Sequence, residues 1–272
     1  MDFLLASWFW FAVGVTFFAS FVQGLTGFGM ALVAVPLLLS HERIGTYAIP
    51  CLTIACFATV GEVLWRYRRH LDLRRTAWLG APLLLTTPLG VLALRDWPLW
   101  RIQLAVGAIL FAIGAWQLNP WARRDSQAPT GDHEPPAEAE DRPAPLAGDF
   151  SRPASLVVGG LSGILGGAVG MVGPLLAGYL IASGIERGRF KVTLNAVFLI
   201  SLLVRTGNYA WQGLLPPAWA LTGICLLPFA WLGSRAGLYM DGYIPAKAFA
   251  RLVNVFLLGL GIWMASAALR AA

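Results

Sequence analysis

One arginine lies deep inside an apolar run of this sequence, where it could bind an anion. Arg205 is six residues from the end of the run 190–211. Burying such a charge costs free energy unless a partner or water compensates it. Two interpretations stay open: an ion pair with Glu62, near the end of the run 46–65, or a guanidinium that faces a cavity and donates charge-assisted hydrogen bonds to an anionic substrate.

Two glycine-rich stretches, 23–29 and 162–173, offer a second kind of anion ligand. Each overlaps or leads into an apolar run of only 13 residues (27–39 and 171–183), which as a helix covers about 20 Å, less than the thickness of a bilayer. We therefore expect half-helices or re-entrant arms. Their amino-terminal N–H groups and partial positive charge would favour an anion. Glycines at four-residue spacing would also serve close helix packing, and this alternative stays open.

Polar side chains within these stretches complete the predicted binding site. Gln23, Thr26 and Ser162 could add hydrogen bonds to the anion. Irregular backbone at membrane depth is tolerated where it is buried in protein or lines a cavity, which favours a site at the two glycine-rich breaks. The predicted substrate-binding residues are Gln23, Gly24, Thr26, Gly27, Gly29, Ser162, Gly163, Gly166, Gly167, Asn195, Arg205 and Asn208.

No residue pattern predicts catalysis, a cofactor or a metal ion. His41, His70 and His133 lie in loops without a second ligand at helical spacing, and no nucleophile shares a predicted helix face with a histidine. The stretch from Gly167 to Gly173 lacks the G-x-G-x-x-G spacing of a dinucleotide site, and no Walker A sequence occurs. We therefore expect neither an enzyme nor an ATP-driven pump.

The composition places these residues in a membrane protein. Of 272 residues, 57% are apolar and 12% are charged. Soluble domains carry about 25% charged residues, so this chain cannot coat a water-facing surface of its size. The net charge of +6 does not indicate a nucleic-acid partner, because the basic residues lie in short loops such as 66–75. That placement is typical of residues that set membrane orientation.

Ten apolar runs predict an all-α polytopic membrane protein with 8–10 transmembrane or re-entrant segments. The start of the chain has no basic n-region, so we expect the first run to be retained rather than cleaved. Three cysteines lie within the runs and are predicted to be small buried side chains without disulfides. The runs are 3–22, 27–39, 46–65, 77–94, 101–119, 154–169, 171–183, 190–211, 216–234 and 248–269.

The chain is predicted to consist of a first transmembrane repeat, 1–119, a linker, 120–152, and a second transmembrane repeat, 153–272. The linker is rich in proline and acidic residues and has few large apolar side chains. Such a segment cannot bury enough apolar area to offset the entropy of ordering it. We therefore expect the linker to be flexible.

The two halves follow one plan. In the first half a glycine-rich stretch, 24–29, leads to a Pro-Leu-Leu at 36–38. In the second half the stretch 163–168 leads to a Pro-Leu-Leu at 174–176, with a spacing that differs by one residue. This duplicated order predicts an internal repeat.

Loop charge predicts how the two halves are oriented. The loop 66–75 carries five arginines, whereas its counterpart 212–217 carries no charge. The loop 184–191 carries three basic residues, Lys191 among them, whereas 40–45 has one arginine balanced by a glutamate. The basic charge therefore lies in the first-half loop of one matching pair and in the second-half loop of the other, which indicates an inverted-topology repeat. With the basic loops inside, both termini are predicted to lie outside and the linker in the cytoplasm.

The duplicated glycine motifs resemble those of the TauE/SafE sulfite exporter family, also called toluene sulfonate uptake permease-type proteins. The sequence departs from the family pattern at Phe28 and Met30, which interrupt the first glycine cluster, and it has no clear Thr-Ser after the proline. The resemblance implies a permease of the bacterial inner (plasma) membrane for sulfite, an organosulfonate or a related sulfur-containing or organic anion. It covers 3–119 and 153–269 and rests on Gly24, Gly27, Gly29, Pro36, Gly163, Gly166, Gly167 and Pro174.

The predicted function is secondary transport of a small anion. Two broken helices would hold the anion near the midplane while the halves rock around it, with a proton or sodium ion as coupling partner. A passive anion channel, an intramembrane enzyme and a membrane-anchored interaction subunit are the alternatives. The enzyme is disfavoured because no polar catalytic cluster lies in the runs. The other predicted partner is the lipid bilayer, and glycine-rich faces would also permit a homodimer.

Overall fold

The computed structural model describes residues 7–41, 44–118, 151–183, 185, 187–240, 259, 262, 263, 265 and 266. Nine α-helices with described bounds and no strand occur in these ranges, together with 3₁₀ turns at Gly45–Tyr47 and Arg68–His70, and the described residues between 259 and 266 are also helical. The all-α prediction is therefore confirmed. The helices are α1 (Ser7–Thr26), α2 (Met30–Leu39), α3 (Ala48–Tyr67), α4 (Leu73–Asp96), α5 (Leu99–Leu118), α6 (Arg152–Val169), α7 (Gly173–Ala182), α8 (Arg187–Trp211) and α9 (Pro217–Met240).

Six of the described helices are long and apolar enough to cross a membrane, namely α1, α3 with its 3₁₀ turn, α4, α6, α8 and α9. Large apolar side chains cover the outside of the bundle, and Leu85 and Trp211 are 74% and 92% exposed. An exposed apolar surface on helices of this length is typical of contact with lipid. The prediction of a polytopic membrane protein is confirmed. Most of the predicted linker, 120–152, and most of the run 248–269 lie outside the described residues.

Two helix pairs form the most extensive contacts, α1 with α9 and α4 with α6. Both crossings are made by glycines: a methyl group on Gly24 would overlap the carbonyl oxygen of Ser234 in α9, and one on Gly167 would overlap that of Thr87 in α4. Backbones in contact allow close packing, which drives helix association in lipid.

The two short runs form helices of ten residues each, α2 and α7, which turn back beside the helix that precedes them. The ring of His41, after α2, lies 5.6 Å from that of Phe11 in α1. The hydroxyl of Tyr179 in α7 lies 2.7 Å from Oγ of Ser155 in α6. A helix of this length covers about 15 Å, so each arm returns part of the way.

The ends of the bundle differ in charge. Gly188, at the start of α8, contacts His70 at 3.7 Å, so α8 begins beside the arginine-rich turn that follows α3. At the start of α3, Tyr47 stacks on Trp219 of α9 at 5.1 Å between ring centroids. Helices α3 and α8 therefore run antiparallel, with the two basic segments at one end and an aromatic cluster at the other.

Candidate functional site

Two backbone breaks at glycines form the centre of the candidate site. Gly27 (φ +85°) terminates α1 and Gly170 (φ +77°) terminates α6, in the left-handed region that glycine adopts without strain. The N–H of Gly170 donates to the carbonyl oxygen of Gly166 at 2.9 Å, and that of Gly27 donates to Gln23 at 2.7 Å. The helices α2 and α7 each begin three residues after these glycines.

A cavity of about 30 Å³ lies between the amino-terminal ends of α2 and α7. This volume accommodates about two water molecules. Both breaks contribute to its wall, through Gly29 and Gly170, and its polar side chains include Gln23 and Arg205. Because the first N–H groups of a helix have no intrahelical acceptor, two helix ends place partial positive charge at this cavity.

Arg205 is the charged residue of this cavity. It is only 4% exposed, and Nη1 donates to the carbonyl oxygen of Gly166 at 3.0 Å. Nε has no acceptor among the described residues, and no carboxylate of the described ranges forms an ion pair with Arg205. A second cavity of about 10 Å³ also opens on this side chain. The site therefore contains a buried cation with an unused donor, which suits an anionic ligand.

The alternative ion pair between Arg205 and Glu62 is not formed. Glu62 instead accepts a hydrogen bond from Nε1 of Trp231 in α9 at 2.8 Å. The guanidinium of Arg235 lies over the same indole ring, 4.9 Å from its centroid. Of the two interpretations of Arg205, the structure therefore agrees with the guanidinium that faces a cavity.

A second cation, Lys191, is buried at the other break. The sequence places it in the basic loop 184–191, but it lies in the first turns of α8 and is 2% exposed. Its Nζ donates to the carbonyl oxygens of Leu25 at 3.2 Å and Gly24 at 3.4 Å, at the carboxyl end of α1. The assignment of Lys191 to a water-facing loop was wrong because the helix begins four residues before it, at Arg187.

Asn195 connects α8 to the first break. Its Nδ2 donates to the carbonyl oxygen of Gly27 at 2.9 Å and to that of Lys191, in its own helix, at 2.9 Å. Its Oδ1 accepts a hydrogen bond from Nε2 of Gln23 at 3.4 Å. Because Gln23 also lines the cavity, a continuous set of hydrogen bonds joins the cavity to the carboxyl end of α1.

Nine of the predicted site residues fall into three groups of three. The first group lines the cavity: Gln23, Gly29 and Arg205. The second forms hydrogen bonds that support the breaks: Gly27, Gly166 and Asn195. The third consists of glycines at helix crossings, which corresponds to the packing alternative: Gly24, Gly163 and Gly167.

The remaining three predicted site residues are engaged or placed elsewhere. The Thr26 hydroxyl bonds to the backbone of Phe28 within the first break. Asn208 donates to the carbonyl oxygen of Val204 in its own helix at 2.8 Å. Ser162 is fully buried, and its hydroxyl has no partner among the described residues. None of the three lines the cavity.

Sequence reasoning missed three residues that shape the site: Gly170, Lys191 and Tyr209. The Tyr209 hydroxyl donates to the carbonyl oxygen of Gly167 at 3.1 Å and so closes the end of α6 together with Arg205. The spacing could have identified two of them. Lys191 lies four residues before Asn195, and Tyr209 lies four residues after Arg205, so each pair shares one face of the apolar helix.

The chemistry of the site is that of hydrogen-bond donors. Across the described ranges, no three His, Cys, Asp or Glu side chains come together to hold a metal ion. The three cysteines are free, and Cys56 lies in the cavity wall with its Sγ 3.2 Å from Sδ of Met30. Buried donors of this kind are the chemistry that an anion-binding site requires.

Comparison with known proteins places the chain in a family. The family model described as Sulfite exporter TauE/SafE matches residues 12–264, nearly the whole chain. No curated protein and no solved structure matches the sequence.

Proposed function

This chain belongs to the TauE/SafE sulfite exporter family, and on that premise we propose that it is a secondary transporter of a small anion. Sulfite is the first candidate substrate, followed by an organosulfonate or another sulfur-containing or organic anion. The proposed location is a bacterial inner membrane, with both termini outside and the linker in the cytoplasm. A proton or a sodium ion would provide the driving gradient.

The observation that carries the proposal is the position of Arg205. A buried guanidinium with an unused Nε donor opens onto the cavity between two helix amino termini. An oxyanion there would receive charge-assisted hydrogen bonds from Arg205 and backbone N–H donors from α2 and α7. The cavity as it stands has room for about two water molecules, so we propose that this state is a closed one.

The proposed mechanism is alternating exposure of this site. The breaks at Gly27 and Gly170 let two helices end inside the protein, and their carboxyl ends are held by residues of α8. Matching glycine contacts of α1 with α9 and of α4 with α6 support two related halves. Rocking of one half against the other would open the cavity to one side at a time.

The transport assay uses purified protein in liposomes and labelled sulfite, thiosulfate and a small sulfonate, each with and without an imposed pH or sodium gradient. Saturable flux that follows a gradient supports secondary transport and identifies the substrate. Flux that neither saturates nor follows a gradient would indicate a passive anion channel instead. If folded protein moves none of the three anions, the proposed substrate class is wrong.

Arg205→Gln tests the site within the same assay. We expect the apparent affinity for the anion to fall about 10- to 100-fold, because a hydrogen bond to a charged group is lost. Arg235→Gln is the matched control, since Arg235 is exposed on α9 beside Trp231 and should transport normally. Normal transport by Arg205→Gln would exclude Arg205 from substrate binding.

A further inference from the structure

We propose that the ammonium group of Lys191 is a built-in cation that occupies a monovalent-cation site at the carboxyl end of α1. Its consequence for transport rests on the function proposed above and narrows it: the chain has no vacant place for a coupling sodium ion at this break, so anion flux is independent of sodium and, of the two coupling ions named there, the proton remains.

The geometry at the end of α1 is that of a cation site built from carbonyl oxygens. Leu25 and Gly24 direct their carbonyl oxygens at Nζ of Lys191, at 3.2 and 3.4 Å. The side-chain stem runs against Gly27, where a methyl group would lie 3.0 Å from Cγ of Lys191. The ring of Tyr67 lies on another side, with its centroid 5.7 Å from Nζ. The ammonium therefore fills a buried, largely preformed place.

Helix electrostatics explain why a cation belongs there. The last carbonyl groups of a helix lack intrahelical donors, and the helix dipole adds partial negative charge. In transporters built on broken helices, half-helix carboxyl ends and unwound carbonyls coordinate the coupling sodium ion or proton. Here the ε-ammonium of Lys191 takes that position without a bound ion. A covalently attached cation cannot dissociate between transport steps as sodium does.

The occupied site is connected to the anion cavity. Lys191 contacts the last turn of α1, and Asn195 binds the carbonyl oxygen of Gly27 at the break itself. Asn195 also accepts from Gln23, which lines the cavity. The cation thus stabilises the conformation of the break at Gly27. Gly29, in the same break, forms part of the cavity wall. Removing its charge should loosen this break before it affects the rest of the bundle.

Arg205 at the other break shows that the two cations have different roles. It also binds a carboxyl-end carbonyl, that of Gly166, but its side chain lines the cavity and its Nε has no acceptor among the described residues. We therefore assign anion binding to Arg205 and support of the break to Lys191.

The test measures thermal unfolding of the purified full-length chain in the chlorides of sodium, ethylammonium and choline at equal concentration. Lys191→Ala leaves a space that sodium or ethylammonium can enter, whereas choline is too large. We expect its Tm to be about 2–4 °C higher in sodium or ethylammonium chloride than in choline chloride. Lys191→Met is the matched control, because its uncharged stem fills the same space, and it should show no difference.

Equal Tm values of folded Lys191→Ala in all three salts would overturn the proposal, and so would stabilisation of the wild-type chain by sodium. A second measurement uses the wild-type chain and needs no folded variant. Anion flux that is equal in sodium and choline buffers supports the proposal, and sodium-dependent flux contradicts it. The unfolding curves require no substrate. A failed transport assay would therefore count against the proposed function and leave the cation site standing.

Discussion

Arg205 and Lys191 lie on the same helix, about four turns apart, and each binds the carboxyl end of a different broken helix. Their head groups differ in a way that suits the two positions. The compact ammonium of Lys191 is directed at carbonyl oxygens, whereas Arg205 lines the cavity, binds one carbonyl and keeps an Nε donor that has no acceptor among the described residues. The two side chains carry the same charge, but their surroundings fit Lys191 to support of a break and Arg205 to anion binding.

Gly170 leaves room for the Arg205 guanidinium, and its replacement should impair transport specifically. In Gly170→Ala the new methyl group would lie 3.2 Å from Nη1 of Arg205, in addition to the cost of a positive φ. We expect about a tenfold loss of apparent affinity for the anion, measured as KM in the liposome assay. A loss of stability of about 1–2 kcal/mol should accompany it.

The matched control is Gly213→Ala. Gly213 has a similar φ of +70°, but it lies in the turn between α8 and α9, where a methyl group would meet nothing within 4 Å. This variant should lose comparable stability and keep the wild-type KM. Equal KM values for the two variants would mean that Gly170 acts only through backbone conformation.

At the residue scale, the sequence predicted part of the site. Arg205 could be identified because a polar side chain in an apolar run must find a partner or a cavity, and Gln23 because it begins the glycine-rich stretch 23–29. Gly24 and Gly167 could not be assigned, since packing glycines and binding glycines share one spacing pattern. Lys191 was assigned to a loop because a count of charges does not show where a helix begins. Substrate contact by any of these residues stays a prediction.

At the element scale, the crossing of α1 and α9 depends on glycine. In Gly24→Ala the methyl group would overlap the backbone of α9 at Ser234, so the helices would have to separate. We expect a loss of about 1–3 kcal/mol, seen as a lower Tm in detergent. Gly14→Ala, in the same helix, meets nothing within 4 Å and should leave stability unchanged or slightly higher. If both variants unfold at the wild-type temperature, the crossing is looser than described.

The arms illustrate what an apolar pattern reveals about elements. Their existence and shortness could be predicted from the length of the runs, and both form ten-residue helices. The way in which the two arms correspond residue by residue could not be predicted from the proline motif, because Pro36 lies inside α2 whereas Pro174 is the second residue of α7. The breaks match instead at the left-handed glycines, with Gly27 opposite Gly170. A proline motif is a weak guide to register, since proline is tolerated at both places in a membrane helix.

At the scale of the whole molecule, the contacts between the halves are reciprocal. The first helix of each half packs on the fourth helix of the other, as α1 on α9 and α6 on α4, and the third helices α3 and α8 pack on each other. Glycine pairs mark both crossings, Gly24 with Gly237 and Gly167 with Gly90. These contacts support the inverted repeat, which stays a prediction, as do the domain limits and the linker.

The position of the basic loops gives the final prediction, the orientation of the chain in the membrane. Gly188 contacts His70, so the arginine-rich segment after α3 and the start of α8 lie at one end of the bundle, while Tyr47 and Trp219 meet at the other. Basic loops stay in the cytoplasm because translocating them is unfavourable.

In a chain whose three cysteines are replaced, Arg69→Cys should react with a membrane-impermeant maleimide only after cells are permeabilised. Ala218→Cys, exposed at the start of α9, should react in intact cells. The reverse pattern would invert the orientation, and labelling of both in intact cells would contradict the antiparallel arrangement of α3 and α8.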